Sequence, residues 1–247
     1  MRVEYHKWYS DALGQDMDLK IYGEKGLPFV IFPAMGGPFF EFEDFGMVDA
    51  CRELIESEKI HFYTISSVDK QSWLNGDAMP NERAARHEQY DHYVREEVMP
   101  FIEKKSGNGI KPFTAGCSVG GYHAANFFFR HPDLFSGVVC LSGVLSLKIF
   151  LGDYIDETVY FNSPLYYLPN LSDEYYLKYI RNGKIFICVG QGEWEEPMIA
   201  DARAIQKIFI KKSIPAWVDF WGYDVNHDWA WWRKQFPYFI NQIISLG

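Results

Sequence analysis

One serine in this chain stands in a setting suited to nucleophilic chemistry. The run Gly116-Cys117-Ser118-Val119-Gly120-Gly121 follows an apolar, strand-like stretch and precedes a helical pattern. Ser118 therefore falls on a tight strand-to-helix turn, with glycines on either side leaving room for a strained backbone. Such a turn lifts the hydroxyl out of the carboxyl edge of a sheet. It also brings the helix N-terminus and the Val119 N–H toward any oxyanion that forms. A glycine-rich helix start with Ser118 as its N-cap is the competing reading, and the strand before and helix after weigh against it.

A serine hydroxyl is a weak nucleophile near neutral pH and needs a base. Of seven histidines, His6 and His61 fall in strands, His87 and His92 on a long helix, and His131 in a helix-ending His-Pro-Asp. His123 starts a helix that directs it away from Ser118. His227, in Tyr-Asp-Val-Asn-His-Asp-Trp, falls between the last strand and the last helix, at the sheet edge that carries Ser118. An orienting carboxylate should follow the penultimate strand, which runs into Gln191-Gly192-Glu193-Trp194-Glu195-Glu196. Three acids compete there, whereas Asp201 falls in the next helix and is expected to face solvent. The order Ser…acid…His is that of a nucleophile-elbow hydrolase. A second oxyanion donor should come from the turn Pro33-Ala34-Met35-Gly36-Gly37-Pro38, either Met35 or Gly36 by position.

The elements that must position these groups follow from hydrophobic periodicity. Val3–Ser10 and Met17–Tyr22 form a hairpin about Asp11–Gly14. Apolar runs at Phe29–Pro33, Ile60–Ile65, Lys111–Ala115, Gly137–Leu141, Lys184–Val189 and Ala216–Trp221 read as buried strands. Helical spacing covers Asp44–Ser57 (Asp44 as N-cap), Asn81–Lys105, Val119–Arg130, Met198–Lys211 and Trp229–Ile244. This is an α/β chain: a mostly parallel central sheet with an antiparallel N-terminal hairpin and helices on both faces. Residues 1–247 are expected to form a single domain. The aromatic, turn-rich stretch at about 145–181 makes a cap-like excursion over the sheet edge where ligands bind.

The net charge of -9 disfavours a nucleic-acid partner. No apolar run has the length of a membrane span, and none near the N-terminus resembles a signal peptide. Cys51, Cys117, Cys140 and Cys188 match no zinc or disulfide pattern and read as buried free thiols. A cytoplasmic location is the default, and homo-oligomerisation is left open. Aromatic residues reach 18%, which suggests a partly ring-lined cleft.

With these parts placed, the chain resembles a serine esterase of the α/β-hydrolase superfamily. It is most similar to the esterase branch that includes feruloyl and acetyl-xylan esterases, S-formylglutathione hydrolase and the mycobacterial mycolyltransferases. The resemblance runs from Phe29 to the C-terminus. It is strongest in TAGCSVGGYHAANFFFRHPDLFSGVVCLSG, GQGEWEEPMIADARA and IPAWVDFWGYDVNHDWAWWRKQFPYF. It implies an α/β-hydrolase fold with Ser118 as nucleophile and His227 as base. Relatives with a Gly-Gln-Gly-x-aromatic-Glu stretch carry the triad acid at its final Glu, which points to Glu195 over Glu193 and Glu196. The chain has Pro-Ala-Met-Gly-Gly where many relatives carry a His-Gly oxyanion motif, so the second donor stays open, with Met35 first and Gly36 beside it.

The expected chemistry is hydrolysis of a small-molecule or carbohydrate-linked ester through an acyl-enzyme, with no metal or organic cofactor. An acyltransferase with the same triad, or a non-catalytic binder using the rings Tyr154, Tyr160, Phe161, Tyr166, Tyr167, Tyr175 and Tyr176, are the alternatives. Gly36, Trp73 and Trp229 are the expected substrate contacts, with Met79 as a further wall.

Overall fold

A computed structural model describes residues 1–245. Its eight strands are β1 (Val3–Ser10), β2 (Gln15–Tyr22), β3 (Leu27–Phe32), β4 (Ile60–Ile65), β5 (Phe113–Cys117), β6 (Gly137–Leu141), β7 (Lys184–Val189) and β8 (Trp217–Phe220). They form one sheet in the order β1-β2-β4-β3-β5-β6-β7-β8. The β1/β2 and β2/β4 pairs are antiparallel, and every other pair is parallel. This is the mostly parallel sheet with an antiparallel start that the periodicity predicts.

The central strands β3 to β7 are buried almost from end to end, and mostly apolar, because both faces of the sheet are covered. One face packs against α1 (Pro80–Tyr93) and α2 (Met99–Ser106), which are joined by a π-turn at Val94–Val98, and against α3 (Val119–Arg130). The other packs against three short helices (Glu41–Asp44, Met47–Ala50, Arg52–Glu56) and the C-terminal helix Trp229–Ser245.

Two predicted helices are interrupted, each for a local reason. The expected helix Asp44–Ser57 is broken at Gly46 (φ 72°), and Asp44 ends a turn instead of capping one. The expected Asn81–Lys105 helix passes through the π-turn just before Pro100, whose missing N–H leaves one carbonyl without its helical partner. There Glu97 accepts hydrogen bonds from Trp8 Nε1 (2.8 Å), Ser10 Oγ (2.8 Å) and the Ala12 N–H (3.1 Å), tying the hairpin down.

Parallel register brings the chemistry to one edge. Phe32 pairs with Gly116, Cys117 with Leu141, Leu141 with Cys188, and Val189 with Phe220. The segments that follow β3, β5, β6, β7 and β8 therefore emerge side by side. The stretch 145–181 is built from short helices, ending in α4 (Glu174–Asn182); α5 (Glu196–Lys212) and α6 (Trp229–Ser245) follow. No helix among the described residues is long and apolar enough to cross a membrane.

Candidate active site

Ser118 joins β5 to α3 with φ 56° and ψ -123°, a conformation that side-chain-bearing residues rarely hold. The crossing is possible because Gly116 and Gly120 have no side chains. A Cβ on Gly116 would lie 2.3 Å from the Gly120 carbonyl oxygen, and one on Gly120 2.2 Å from that of Phe32. Ser118 makes no side-chain cap to its helix. Its Oγ lies 2.9 Å from His227 Nε2 instead.

His227 sits between β8 and α6. Its backbone N–H donates to the Glu193 carbonyl (3.0 Å), and its ring stands edge-on to Trp232 at 4.9 Å. The other ring nitrogen, Nδ1, is 3.4 Å from Glu195 Oε2. Of the three competing acids, Glu195 is wholly buried, whereas Glu193 and Glu196 are exposed. Its second oxygen accepts Ser142 Oγ–H at 2.6 Å and the Gly190 N–H at 3.3 Å. Trp232 Nε1 donates to the same Ser142 hydroxyl at 3.1 Å. The chain thus runs Ser118–His227–Glu195–Ser142–Trp232.

Backbone strain gathers at this edge. Six non-glycine residues among those described have positive φ, and Met35 (47°), Ser118 (56°), Ser142 (49°) and Trp194 (68°) are four of them. Met35 and Val119 line the same cavity as Ser118 and His227, and neither amide N–H has a partner among the described residues. Both N–H groups are thus left available as donors beside Ser118. Behind Met35, Glu41 is buried inside the turn and accepts the Ala34 N–H at 2.6 Å. Burial pushes the Glu41 carboxyl up to about 7, with the Ala34 hydrogen bond opposing and Asp69 adding to the rise. Gly37 leaves the space Glu41 fills, since a Cβ there would lie 2.2 Å from Oε1. Cys117, next to the serine, is fully buried, which holds its thiol well above the usual range and makes it a poor rival nucleophile.

The cavity at Ser118 encloses about 450 Å³. Its walls are Met35, Val119, Val144, Ile149, Phe150, Trp194, Pro197 and Met198, which are apolar, with Glu196 the one carboxylate among the lining residues. Several expected contacts lie elsewhere. Trp73 is wholly buried in the core against His87 (4.7 Å). Trp229 is stacked on Phe45 at 4.6 Å and is not part of the wall. Gly36 is turned onto Asp69 and Lys70, and Met79 starts α1 outside the cavity. The excursion contributes Ile149 and Phe150, but none of its tyrosines, so the aromatic excess is core packing far more than cleft lining. Asp201 does not face solvent. It accepts the Leu145 and Ser146 N–H groups (2.7 and 3.3 Å) and anchors the loop after β6. His123 is buried, 2.7 Å from Asp69, and well away from the base position.

Sequence reasoning missed Ser142, Glu41, Val144, Phe150 and Trp194. Trp194 had a local signal, lying between the competing acids. The others reach the site only through strand register and loop packing.

The fold is of the α/β-hydrolase class, and the family to which the chain belongs is one of esterases. The chain belongs to the Esterase family, described as "Putative esterase", whose model matches residues 10–241. No curated protein matches it. Among solved structures, a ferulic acid esterase is 20% identical, with a TM-score of 0.75 over 98% of both chains. An S-formylglutathione hydrolase from Agrobacterium tumefaciens is 12% identical, with a TM-score of 0.76 over 98% of this chain and 94% of that one. Mycobacterium tuberculosis MPT51 (FbpC1) is 13% identical, with a TM-score of 0.73 over 99% and 98%. At these identities the likeness is one of fold.

Proposed function

We propose that this protein hydrolyses carboxylic esters through an acyl-enzyme, with Ser118 as nucleophile, His227 as general base and Glu195 as the acid that orients it. The observation that carries this is the 2.9 Å approach of His227 Nε2 to Ser118 Oγ, with Glu195 buried at the opposite ring nitrogen. His227 takes the serine proton as Oγ attacks the ester carbonyl, and the Val119 and Met35 N–H groups hold the tetrahedral oxyanion. The imidazolium protonates the leaving alkoxide, and the neutral ring then activates water to release the acid. Glu195 faces the imidazolium as it forms and fixes which nitrogen carries the proton at rest.

The apolar walls around Ser118 suit an uncharged acyl group, alkyl or aryl, better than a charged one. A single domain spanning 1–247, capped at 145–181, and action in the cytoplasm belong to the same proposal; residues 246 and 247 lie outside the described residues. The four buried free thiols are in keeping with that compartment. The test is Ser118→Ala, assayed with p-nitrophenyl butyrate and a fluorophosphonate probe. A loss of at least about a thousandfold in kcat and of all labelling is expected; wild-type turnover by the variant would overturn the proposal.

A further inference from the structure

The turn that carries Met35 is left-handed at two consecutive residues, Met35 (φ 47°) and Gly36 (φ 70°). Strain of the kind Met35 holds persists only where the surroundings enforce it. The entry to the turn is held by backbone packing. Gly120, at the start of α3, lies so close to Phe32 that a Cβ on it would come within 2.2 Å of the Phe32 carbonyl oxygen. The exit rests on a different element. A Cβ on Gly36 would lie 3.2 Å from Lys70 Cγ and 3.3 Å from Asp69 Cβ, so the exit sits on the short 3₁₀ turn Asp69–Gln71 that follows β4.

Asp69 is itself tied to the nucleophile helix. It is 1% exposed, and its Oδ1 lies 2.7 Å from Nε2 of His123, which is wholly buried. Neither Asp69 Oδ2 nor His123 Nδ1 has a partner among the described residues, so this one hydrogen bond is all that orients either side chain through polar contact. A carboxylate oxygen accepts, so Nε2 carries the proton and donates it. The His123 ring packs against Phe32 (5.8 Å) and His87 (5.4 Å). His123 also stands four residues beyond Val119, one turn along α3 and on the same side of it. The two free N–H groups beside Ser118 are therefore joined by a single buried path. It runs from Val119 along α3 to His123, across the hydrogen bond to Asp69, and from Asp69 to Gly36 and Met35.

We propose that Asp69 and His123 are a positioning pair, whose hydrogen bond sets the Met35 N–H against the Val119 N–H so that both meet one oxyanion. The proposal rests on the esterase reading of Ser118 given above. Neither side chain lines the cavity at Ser118, so the pair touches no substrate and acts only through the turn. Without the bond Gly36 loses a fixed support, and the strained Met35 relaxes away from the position that its N–H must hold. The cost falls on the transition state, where negative charge develops on the carbonyl oxygen, and hardly on substrate binding.

The experiment compares His123→Phe, which keeps a ring and removes the donor, with the double variant Asp69→Leu/His123→Phe, which also removes the buried carboxylate. Active sites are counted by fluorophosphonate titration, so that misfolded protein does not enter kcat. In both variants kcat for p-nitrophenyl butyrate should fall about tenfold per labelled site, with KM changed less than about twofold. The Ki of pentyl trifluoromethyl ketone, which adds to the serine as a tetrahedral oxyanion, should rise by the same factor as kcat falls. The double variant leaves no buried charge unpaired, so it should melt above His123→Phe and yet keep the low kcat. It carries the test if His123→Phe does not fold. Asp69→Asn retains an acceptor for Nε2 and should lose no more than about threefold in kcat. A kcat per site in the double variant within about twofold of wild type would show that packing alone holds the turn, and would overturn the proposal. So would an unchanged Ki, a loss expressed in KM, or a loss in Asp69→Asn as deep as in His123→Phe. Turnover by Ser118→Ala would instead remove the esterase reading, so the two failures are told apart.

Discussion

The hydroxyl of Ser142 donates to Glu195 Oε1 at 2.6 Å, from a residue whose backbone is itself held at φ 49°. This contact sits one step behind the histidine. It fixes a buried carboxylate whose other oxygen faces His227, and it is in turn held by Trp232 Nε1. A carboxylate with one oxygen pinned has fewer orientations from which to miss the imidazole.

Ser142→Ala removes that pin and leaves the Trp232 indole N–H without its acceptor. We expect kcat to fall about tenfold with KM little changed, since the lost interaction acts on the base and not on substrate. Steady-state kinetics with p-nitrophenyl butyrate, beside a melting curve, check this. An unchanged kcat would mean that Glu195 is held without Ser142.

Gly37→Ala tests the turn that carries Met35. The added Cβ would fall 2.2 Å from Glu41 Oε1, so either the carboxylate or the turn must move. Displacing one oxyanion donor costs about a hundredfold in kcat. The loss should be far smaller in KM, because the donor matters most when charge develops on the carbonyl oxygen.

Glu41 also makes a prediction about pH. Burial raises its folded-state value from 4.5 to about 7, so the folded protein binds this proton more tightly than the unfolded chain. The stability it contributes is full below about pH 4.5 and is lost as pH rises toward 7. Glu41→Gln stays neutral and keeps an acceptor for the Ala34 N–H. Its melting temperature should exceed wild type by several degrees, ~5 °C, at pH 8 and converge with it near pH 4.5. Parallel melting curves for the two proteins across that range would contradict the assignment.

The apolar cavity predicts an acyl preference. Val144→Phe should reduce turnover of p-nitrophenyl hexanoate about tenfold or more relative to p-nitrophenyl acetate, which needs little of the 450 Å³. The ratio of kcat/KM for the two esters, measured in wild type and variant, is the readout. A ratio that does not move would show that the acyl chain lies elsewhere.

Much of the molecule was written in local pattern. Continuous apolar runs marked the buried strands because a parallel sheet covered on both faces tolerates little else. The strand–Gly-x-Ser-x-Gly–helix run placed Ser118, and the alternation of strands and helices put His227 and the three acids on the same edge, all without reference to distant contacts. Helix continuity was less readable. Gly46 and Pro100 are visible in the sequence, but whether a helix bends through such a residue or stops there depends on what packs against it.

The sequence by itself determined the sheet, the tight turn that carries Ser118 and the placing of Ser118, the acidic run 193–196 and His227 at one sheet edge, because each depends on residues close together along the chain. The local pattern left three glutamates open, and the family resemblance pointed to Glu195. The tertiary structure supplies the physical reason, burying Glu195 against His227. It alone decided that Ser142 and Trp232 stand behind that carboxylate and that Glu41 fills the turn beneath Met35. It also decided that Trp73 and the tyrosines of 145–181 lie away from the serine. Those outcomes depend on strand register and loop packing, which bring together residues as distant as Glu41 and Ala34 from Ser118, or Ser142 from Trp232. No local pattern records such distances.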